Sequence, residues 1–368
     1  MYGYKDEGAP VLTHSPEILK FALVGAGLIG VRHAHAIAKN PHAGLSVIID
    51  PAAPAQKLAE DLGARHFSDI DQFFASGEAI DAVIIATPNN THRPFALAFI
   101  EKGVPCLIEK PLAANSEDAL AIVKASQQAG VPVLVGHHRR HHDVSHVMRQ
   151  KIDQGAFGQI VGGQLTWMLR KPDEYYDAGK WRIEKGGGPI WINLIHEIDL
   201  VRYFLGEIVA VSAMASNDVR GNEVEESAVI NMRFESGAML SAIVSDTAPS
   251  PWHFEGGSAE NPNICPTNHG GLRLFGTRGA IEFPQMRHWQ HATPDGHWGE
   301  AIKSDTNAAA DIIQGEAILG SQIEHFIAII QNHTTPLVTA QDGYQNVVVV
   351  EAIHEAIKTG ATVHIPLI

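Results

Sequence analysis

The sequence has few of the features that mark several large classes of protein. It contains 2 cysteines in 368 residues, too few for a disulfide framework, so we expect a reducing, cytoplasmic setting. No run approaches the ~18 apolar residues that a membrane-spanning helix needs. The N-terminus lacks the basic and apolar regions of a signal peptide, and we expect residues 1–17 to form a flexible extension.

Basic residues are also scarce. There are 27 lysines and arginines against 41 acidic residues, a formal net charge of −14, which argues against a nucleic-acid partner. The apolar content of 45% is that of an ordinary globular protein, and the net charge says little about a small-molecule substrate, because local side chains set the field of a closed site. Because the chain exceeds what one hydrophobic core usually supports, we predict two domains, at 18–138 and 139–368.

A glycine-rich turn follows the first apolar run of the chain. Gly25, Gly27 and Gly30 have the G-x-G-x-x-G spacing. In dinucleotide-binding folds these glycines permit a tight turn, approach to the pyrophosphate and close helix–strand packing. A second apolar run ends at Asp50, where a carboxylate would accept hydrogen bonds from the adenosine ribose and repel a 2′-phosphate. We therefore predict NAD(H) as the cofactor, with NADP(H) less favoured.

Strand and helix patterns alternate after Asp50 as far as about residue 138, which predicts a parallel sheet. Longer alternating segments then predict antiparallel strands at 160–169, 208–215, 227–234, 238–246, 272–275 and 280–283. The predicted fold class is α/β: an N-terminal Rossmann domain and a C-terminal α+β domain with a large, mainly antiparallel open sheet. Asp342 and Gly360 frame a predicted helix, although Val347–Val350 alone would favour a strand.

Three further segments carry residues suited to chemistry. Glu109-Lys110-Pro111 follows a predicted strand, at the edge where open α/β sheets bind ligands, although a solvated turn would look the same. His196 and Asp199 share a predicted helical face, so the aspartate would orient the imidazole of an acid/base, or the pair would be structural. The segment 137–142 has four histidines and two arginines, but their spacing does not suit a metal, and we predict a basic rim at the domain junction.

In this order and spacing, the motifs resemble those of the Gfo/Idh/MocA oxidoreductase family from about Lys20 to the C-terminus. The resemblance implies that Lys110 and His196 are catalytic and that His138 and Arg139 face the substrate, and we further predict Lys171, Asn193 and Asp199 as substrate-binding residues. The cofactor-binding residues that it implies are Gly25, Gly27, Leu28, Ile29, Gly30, Asp50, Thr87, Pro88, Asn89, His92, Glu109, Lys110, Trp181 and Arg182.

One position departs from the family pattern. Many members carry an aspartate four residues before the histidine, where this chain has Ile192 followed by Asn193. A pocket without that acceptor would suit a substrate with an apolar face and an acidic group, for which Arg139, His138 and Lys171 would supply positive donors. Alternatively, Asn193 replaces the lost hydrogen bonds and the substrate is a neutral sugar or inositol.

The resemblance implies an NAD-dependent dehydrogenase that oxidises a secondary alcohol to a ketone. Two other functions are open: a glycosidase or lyase that retains NAD and uses transient oxidation, and a non-catalytic sensor. The Pro- and Gly-rich segment 247–271 is predicted to border the active site or a subunit contact, unless it packs only on its own domain. The large sheet needs a cover, so we expect a homodimer or homotetramer.

Overall fold

The computed structural model describes residues 18–177, 179–293, 295–305 and 318–366. The predicted extension, residues 1–17, lies outside these ranges. The first six strands are β1 (Leu19–Val24), β2 (Ala43–Ile49), β3 (Arg65–Phe67), β4 (Ala82–Ile85), β5 (Cys106–Ile108) and β6 (Val133–Val135). They form one parallel sheet in the order β3-β2-β1-β4-β5-β6.

Helices connect these strands and cover the sheet. They are α1 (Leu28–Lys39), α2 (Ala53–Leu62), α3 (Ile70–Ser76), α4 (His92–Glu101) and α5 (Ser116–Ala129). The strand order reverses between β1 and β4. Because ligands of open α/β sheets bind beyond the carboxyl ends of the strands at such a reversal, the loops after β1 and β4 mark the place to look for a cofactor.

The second sheet has nine strands. They are β7 (Ile160–Met168), β8 (Ile208–Ser216), β9 (Ser227–Phe234), β10 (Met239–Ser245), β11 (Leu272–Gly276), β12 (Ala280–Phe283), β13 (Arg287–His291), β14 (Ile302–Asp305) and β15 (Val363–His364). Their order is β14-β13-β12-β11-β7-β10-β9-β8-β15, and only the β7–β10 pair of this sheet is parallel. The predicted fold class, a Rossmann domain followed by a mainly antiparallel sheet, is confirmed.

Six more helices complete the described part of the chain: α6 (Asp143–Asp153), α7 (Asp173–Asp177), α8 (Ile195–Leu205), α9 (Phe254–Ser258), α10 (Ile318–Asn332) and α11 (Ala340–Thr359). Throughout the described ranges, none of the helices has the length and apolarity needed to cross a membrane.

Two hydrophobic cores underlie the two sheets, but the first is not built from residues 18–138 alone. Ile323 and Phe326 of α10 belong to it, and the ring of Phe326 lies 5.9 Å from that of Phe21. A parallel sheet needs cover on both faces, and α10 supplies part of that cover beside α1. The predicted division into 18–138 and 139–368 therefore does not account for α10, which packs back on the Rossmann core.

Helix α11 is confirmed, although its first residue is not the predicted one. Thr339 is the N-cap, and Asp342 is the third helical residue of a reciprocal capping box. Val347–Val350 are helical despite their strand propensity, because these valines bury one face of the helix between the two cores. Strands β13 and β14 were not predicted, since their sequences are polar and neither shows an apolar alternation.

Candidate active site

The glycine loop has the geometry that its spacing predicts. Gly25 has a φ of +92°, and a Cβ there would lie 2.7 Å from the carbonyl oxygen of Ala86. A Cβ on Gly30 would lie 2.0 Å from the carbonyl oxygen of Gly25, so the helix and the loop touch backbone to backbone. A Cβ on Gly27 would meet nothing within 4 Å, and α1 begins at the next residue. The open side at Gly27 and the amino end of α1 fit a pyrophosphate.

Asp50 closes this loop from the end of β2. Its two carboxylate oxygens accept hydrogen bonds from the backbone N–H groups of Ala26 and Ala52, each at 2.7 Å. Each oxygen keeps a second lone pair, so the carboxylate remains able to accept from a ribose diol. Leu28 and Ile29, the other predicted loop residues, begin α1 beside Gly27, and Leu28 is exposed.

We expect Asp50→Ala to narrow the preference for NAD over NADP. The substitution removes the charge that would repel a 2′-phosphate, and also a ribose acceptor. The measurement is kcat/KM for both cofactors with the wild type and the variant. Comparable efficiency of the wild type with the two cofactors would contradict the assigned role. Asp61→Ala, an exposed substitution on α2, is the control.

Two of the predicted cofactor-binding residues connect loops near the reversal of strand order. The imidazole of His92 lies 2.9 Å from the carbonyl oxygens of both Thr87 and Pro111, so it links the loop after β4 to the loop after β5. Glu109 is paired with His33 of α1 at 2.7 Å. Burial opposes the charge of Glu109, but the hydrogen bond and the charge of His33 outweigh it and lower its pKa to about 2.

Neither His92 nor Glu109 is free to contact a cofactor with its side chain. Both are buried and their side-chain polar atoms are hydrogen-bonded within the protein, so we propose that they position the loops around the cofactor. The other predicted residues of this region, Thr87, Pro88 and Asn89, are less buried and form a turn in which Thr91 Oγ1 donates to Thr87 Oγ1 at 2.8 Å or to the Pro88 carbonyl at 2.7 Å.

Lys110 and His196 converge at the start of α8. Ile190–Leu194 forms a π-helical turn immediately before this helix, a feature common at functional sites. Lys110 Nζ donates a hydrogen bond to the carbonyl oxygen of Ile192 at 3.1 Å, one turn before His196. The lysine therefore lies beside the position at which family members carry aspartate, held by backbone instead of a carboxylate.

Both groups have pKa values displaced from their usual ranges. Burial lowers the pKa of Lys110, although Glu109 opposes the effect. Burial, followed by the positive charges of Lys110 and Arg139, lowers the pKa of His196 well below its usual value. His196 is therefore neutral at neutral pH, the form that accepts a proton. Its Nδ1 makes no hydrogen bond to any of the described residues.

Asp199 does not orient His196, contrary to the sequence prediction. Its carboxylate binds the Arg140 guanidinium through two hydrogen bonds of 2.9 and 2.7 Å and also accepts one from Asn346. Asp199 is completely buried, which leaves it no route to a substrate. Shared helical spacing placed the two side chains on related faces, but the planar guanidinium fork is the better partner for a carboxylate.

The segment 137–142 is a buried layer and not the predicted rim. Residues His138–His141 form a 3-10 helix after β6, and only His138 among the six residues is more than slightly exposed. Arg139 pairs with Glu197 at 2.6 Å, with Glu255 at 2.8 Å and with Glu260 at 2.7 Å. Its guanidinium is thus enclosed by three carboxylates, and the predicted binding of an acidic substrate by Arg139 does not agree with this geometry.

The long segment 247–271 supplies two of these carboxylates. Phe254 and Glu255 lie in α9, where the Phe254 ring packs on Arg139 and stacks on Phe283. His253 caps α9 by accepting a hydrogen bond from the N–H of Gly256. The segment therefore packs on its own domain and, through Glu255 and Glu260, borders the cluster around Arg139.

The three-carboxylate cluster makes a prediction for stability. Burial, followed by the charges of Glu255 and Glu260, raises the pKa of Glu197 to about 7 despite Arg139. Because this folded-state pKa exceeds 4.5, the ionised form costs stability, and the cost grows as pH rises from 4.5 to 7. Glu197→Gln should stabilise the fold by about 1–3 kcal/mol at pH 8 and by almost nothing at pH 4.5, measured by denaturant unfolding. Equal destabilisation at both pH values would contradict the assignment.

A second polar cluster lies beside the π-helical turn. Lys171 Nζ donates to Asn193 Oδ1 at 2.7 Å and lies 3.5 Å from Asp246. Burial lowers the pKa of Lys171 to about 8, against the opposing charge of Asp246. Two predicted substrate residues, Lys171 and Asn193, are thus brought together.

The predicted tryptophan–arginine pair reaches the same region. The Tyr175 ring lies 4.8 Å from Lys171 Nζ and 4.0 Å from the centre of the Arg182 guanidinium. Arg182 is held in this way and also lies 5.6 Å from the centre of the Trp181 ring, and Trp181 is half-exposed.

Sequence reasoning missed Glu197, Glu255, Glu260, Asp246 and His33. Glu197 lies inside the His196–Asp199 motif but had no partner visible in the sequence, Asp246 and His33 belong to no motif, and Glu255 and Glu260 lie in the long segment. The available signal was the presence of Trp252, His253 and Phe254 in the long segment, which indicated a packed loop. No group of three histidines, cysteines or acids within the described ranges is arranged to hold a metal ion.

Comparison with known proteins identifies the family. Residues 19–137 match an oxidoreductase family with an NAD-binding Rossmann fold, and residues 146–282 match the GFO/IDH/MocA C-terminal domain. The chain belongs to the Gfo/Idh/MocA family of oxidoreductases. The predictions of this family, of an oxidoreductase and of NAD as the cofactor are therefore confirmed.

Individual Gfo/Idh/MocA relatives are similar over different lengths. The scyllo-inositol 2-dehydrogenase (NAD(+)) of Bacillus subtilis is 28% identical over 94% of this chain and 96% of its own length. The inositol 2-dehydrogenase of Corynebacterium glutamicum is 31% identical, but the alignment covers 60% of this chain and 65% of that enzyme. The structure of the WlbA dehydrogenase of Bordetella pertussis, in complex with NADH and UDP-GlcNAcA, is 26% identical with a TM-score of 0.76 over 95% of this chain and 99% of that chain.

Proposed function

We propose that this protein oxidises a secondary alcohol of a neutral sugar or cyclic polyol to a ketone. The observation that carries the proposal is the convergence of Lys110 and His196 at the π-helical turn before α8. His196 is buried and Lys110 is half-buried, and both have pKa values displaced toward the neutral form. A displaced pair of this kind in a cofactor-binding fold is suited to proton transfer at a substrate oxygen.

Each residue has one task at that oxygen. Lys110, anchored on the Ile192 carbonyl, holds and polarises the hydroxyl oxygen. His196, neutral at neutral pH, takes the hydroxyl proton in the oxidation direction. Bound NAD supplies the acceptor for the hydride. The loops fixed by His92 and Glu109 hold Lys110 in place for this reaction.

The charges around the site favour a neutral substrate. Arg139 is enclosed by carboxylates, and Lys171 is already paired with Asn193 and Asp246. Neither cation is free for a substrate carboxylate. Asn193 lies next to Ile192, where the family aspartate is missing, and its amide N–H groups can donate to a neutral hydroxyl while its oxygen accepts from Lys171. The inositol specificity of two similar enzymes supports the same substrate class.

A substrate panel tests this proposal. The purified protein and NAD are mixed with inositols, neutral sugars, sugar acids and carboxylated cyclic diols, and absorbance is followed at the reduced-nicotinamide band. We expect the highest kcat/KM with a neutral compound. Preferred turnover of an acidic compound would contradict the proposed substrate class, and no turnover of any compound would contradict the proposed function.

Two further proposals concern the domain division and the oligomeric state. We propose that the domains divide near residue 138 and that the chain forms a homodimer or homotetramer through the nine-stranded sheet, whose exposed residues include Met214, Val229 and Met239. Met214 and Val229 are paired across β8 and β9, so they form one continuous apolar surface. Light scattering gives the mass in solution.

We also propose a cytoplasmic location, because Cys106 and Cys265 are unpaired.

A further inference from the structure

In the proposed reaction, His196 must pass on the proton that it accepts from the substrate. His196 is buried, and its surroundings hold its pKa well below the usual value. Such an imidazole does not keep a proton at neutral pH, and a substrate on the site would separate it further from water. A second group must therefore take the proton before the next turnover.

His138 is the group placed to do so. Its ring centroid lies 5.2 Å from that of His196, with the two ring planes inclined at 66°. The two Nδ1 atoms do not hydrogen-bond to each other, so the proton would pass between the rings through one water molecule. Nδ1 of His138 makes no hydrogen bond within the described ranges. The His138 side chain is 13% exposed, which gives it a path to solvent.

Glu260 is arranged to stabilise a protonated His138. One oxygen of Glu260, Oε1, accepts from Arg139 Nε at 2.9 Å and lies 2.7 Å from Arg139 Nη2. The other oxygen, Oε2, is buried and makes no hydrogen bond within the described part of the chain, and His138 Nε2 lies 3.4 Å away. One oxygen of the Glu260 carboxylate therefore binds Arg139, and the other faces the His138 imidazole.

We propose that His138 and Glu260 form a proton relay that carries the substrate proton from His196 to solvent. The relay rests on the proposed dehydrogenase function and extends it. The substrate O–H bond breaks and its proton passes to His196. That proton then passes to Nδ1 of His138, while Nε2–H donates to Glu260. Release of one proton to water returns both imidazoles to their neutral forms.

The charges that face His138 agree with this role. The titratable groups that interact with it are Glu109, His137, His141, His142, His196 and Glu260, and Arg139 is its neighbour in the chain. Burial lowers the pKa of His137 to about 4 and that of His141 to about 3, so these two remain neutral beside it. The two carboxylates, Glu109 and Glu260, have lowered pKa values and stay ionised.

The test compares His138→Asn with His141→Asn, a buried control in the same 3-10 helix. In weak buffer, with the best substrate of the panel, we expect His138→Asn to lower kcat on the order of 10²-fold with an unchanged KM for NAD. Added imidazole should restore the rate in a saturable way, because it replaces the missing proton carrier. His141→Asn should show no imidazole dependence.

A second pair of variants separates the relay from packing around Arg139. Glu260→Gln and Glu255→Gln each remove one carboxylate from Arg139, but only Glu260 faces His138. Without its counter-charge a protonated His138 is less stable, so Glu260→Gln should move the acid limb of the kcat profile to lower pH. Glu255→Gln should leave this limb in place.

The outcomes are distinct. No rescue of His138→Asn, together with identical pH profiles for Glu260→Gln and Glu255→Gln, would overturn the relay while the wild type still forms NADH. A wild type that reduces no NAD with any compound would overturn the proposed function, and the relay with it.

Discussion

Replacement of His196 by alanine should lower turnover by ~10²–10⁴-fold, the usual range for a lost general acid/base. The imidazole is neutral and buried at the start of α8, so it is the described group best placed to take the hydroxyl proton. Nucleotide affinity should stay nearly unchanged, because the glycine loop and Asp50 lie on the other domain. The measurements are steady-state kcat and the dissociation constant for NADH by fluorescence.

His288→Ala is the matched control. His288 is a partly buried histidine on β13, toward one edge of the nine-stranded sheet, and its loss should leave kcat close to that of the wild type. A His196→Ala variant that turns over at a near-normal rate, or that unfolds, would show that the role assigned to His196 is wrong.

Replacement of Lys110 by methionine should lower kcat by ~10²–10³-fold, the effect of removing a donor to the reacting oxygen. It should also raise KM for the substrate, because in the proposed mechanism the ammonium would hold the hydroxyl oxygen in the ground state as well. The fold should survive, since methionine fills the same volume and removes the cost of a buried charge.

The control for Lys110 is Lys124→Met, an exposed lysine on α5 of the same domain. It should match the wild type in kcat and KM. If Lys110→Met loses thermal stability but keeps its kcat, the lysine has a structural role, which it performs through its hydrogen bond to the Ile192 carbonyl.

The parts of this protein that local chemistry determines were predicted well. A glycine at position 25 is required because the backbone adopts a positive φ there, and Gly30 is required by contact with the Gly25 carbonyl. Both constraints act within a short stretch of the chain, so the local sequence pattern reflects them. The alternation of apolar residues likewise predicted most strands of the second sheet, apart from polar strands such as β13 and β14.

The partners of buried charges could not be predicted in this way. Arg139 was expected to face a substrate, yet its carboxylates come from α8 and from the 247–271 segment. Asp199 was expected to serve His196, yet Arg140 and Asn346 take both of its oxygens. In each case a group distant in sequence completes the pairing, because an ionised group inside a protein needs a compensating charge. Only the fold brings those groups together.

The most direct test of the dehydrogenase assignment is the stoichiometry between NADH and product. A known amount of the best substrate is converted completely by wild-type enzyme with excess NAD, while absorbance reports NADH and chromatography reports the ketone. The proposed reaction predicts one NADH and one ketone for each substrate molecule consumed. Consumption of substrate with release of a cleaved product and no net NADH would contradict it, and would identify a hydrolase or lyase that retains its NAD.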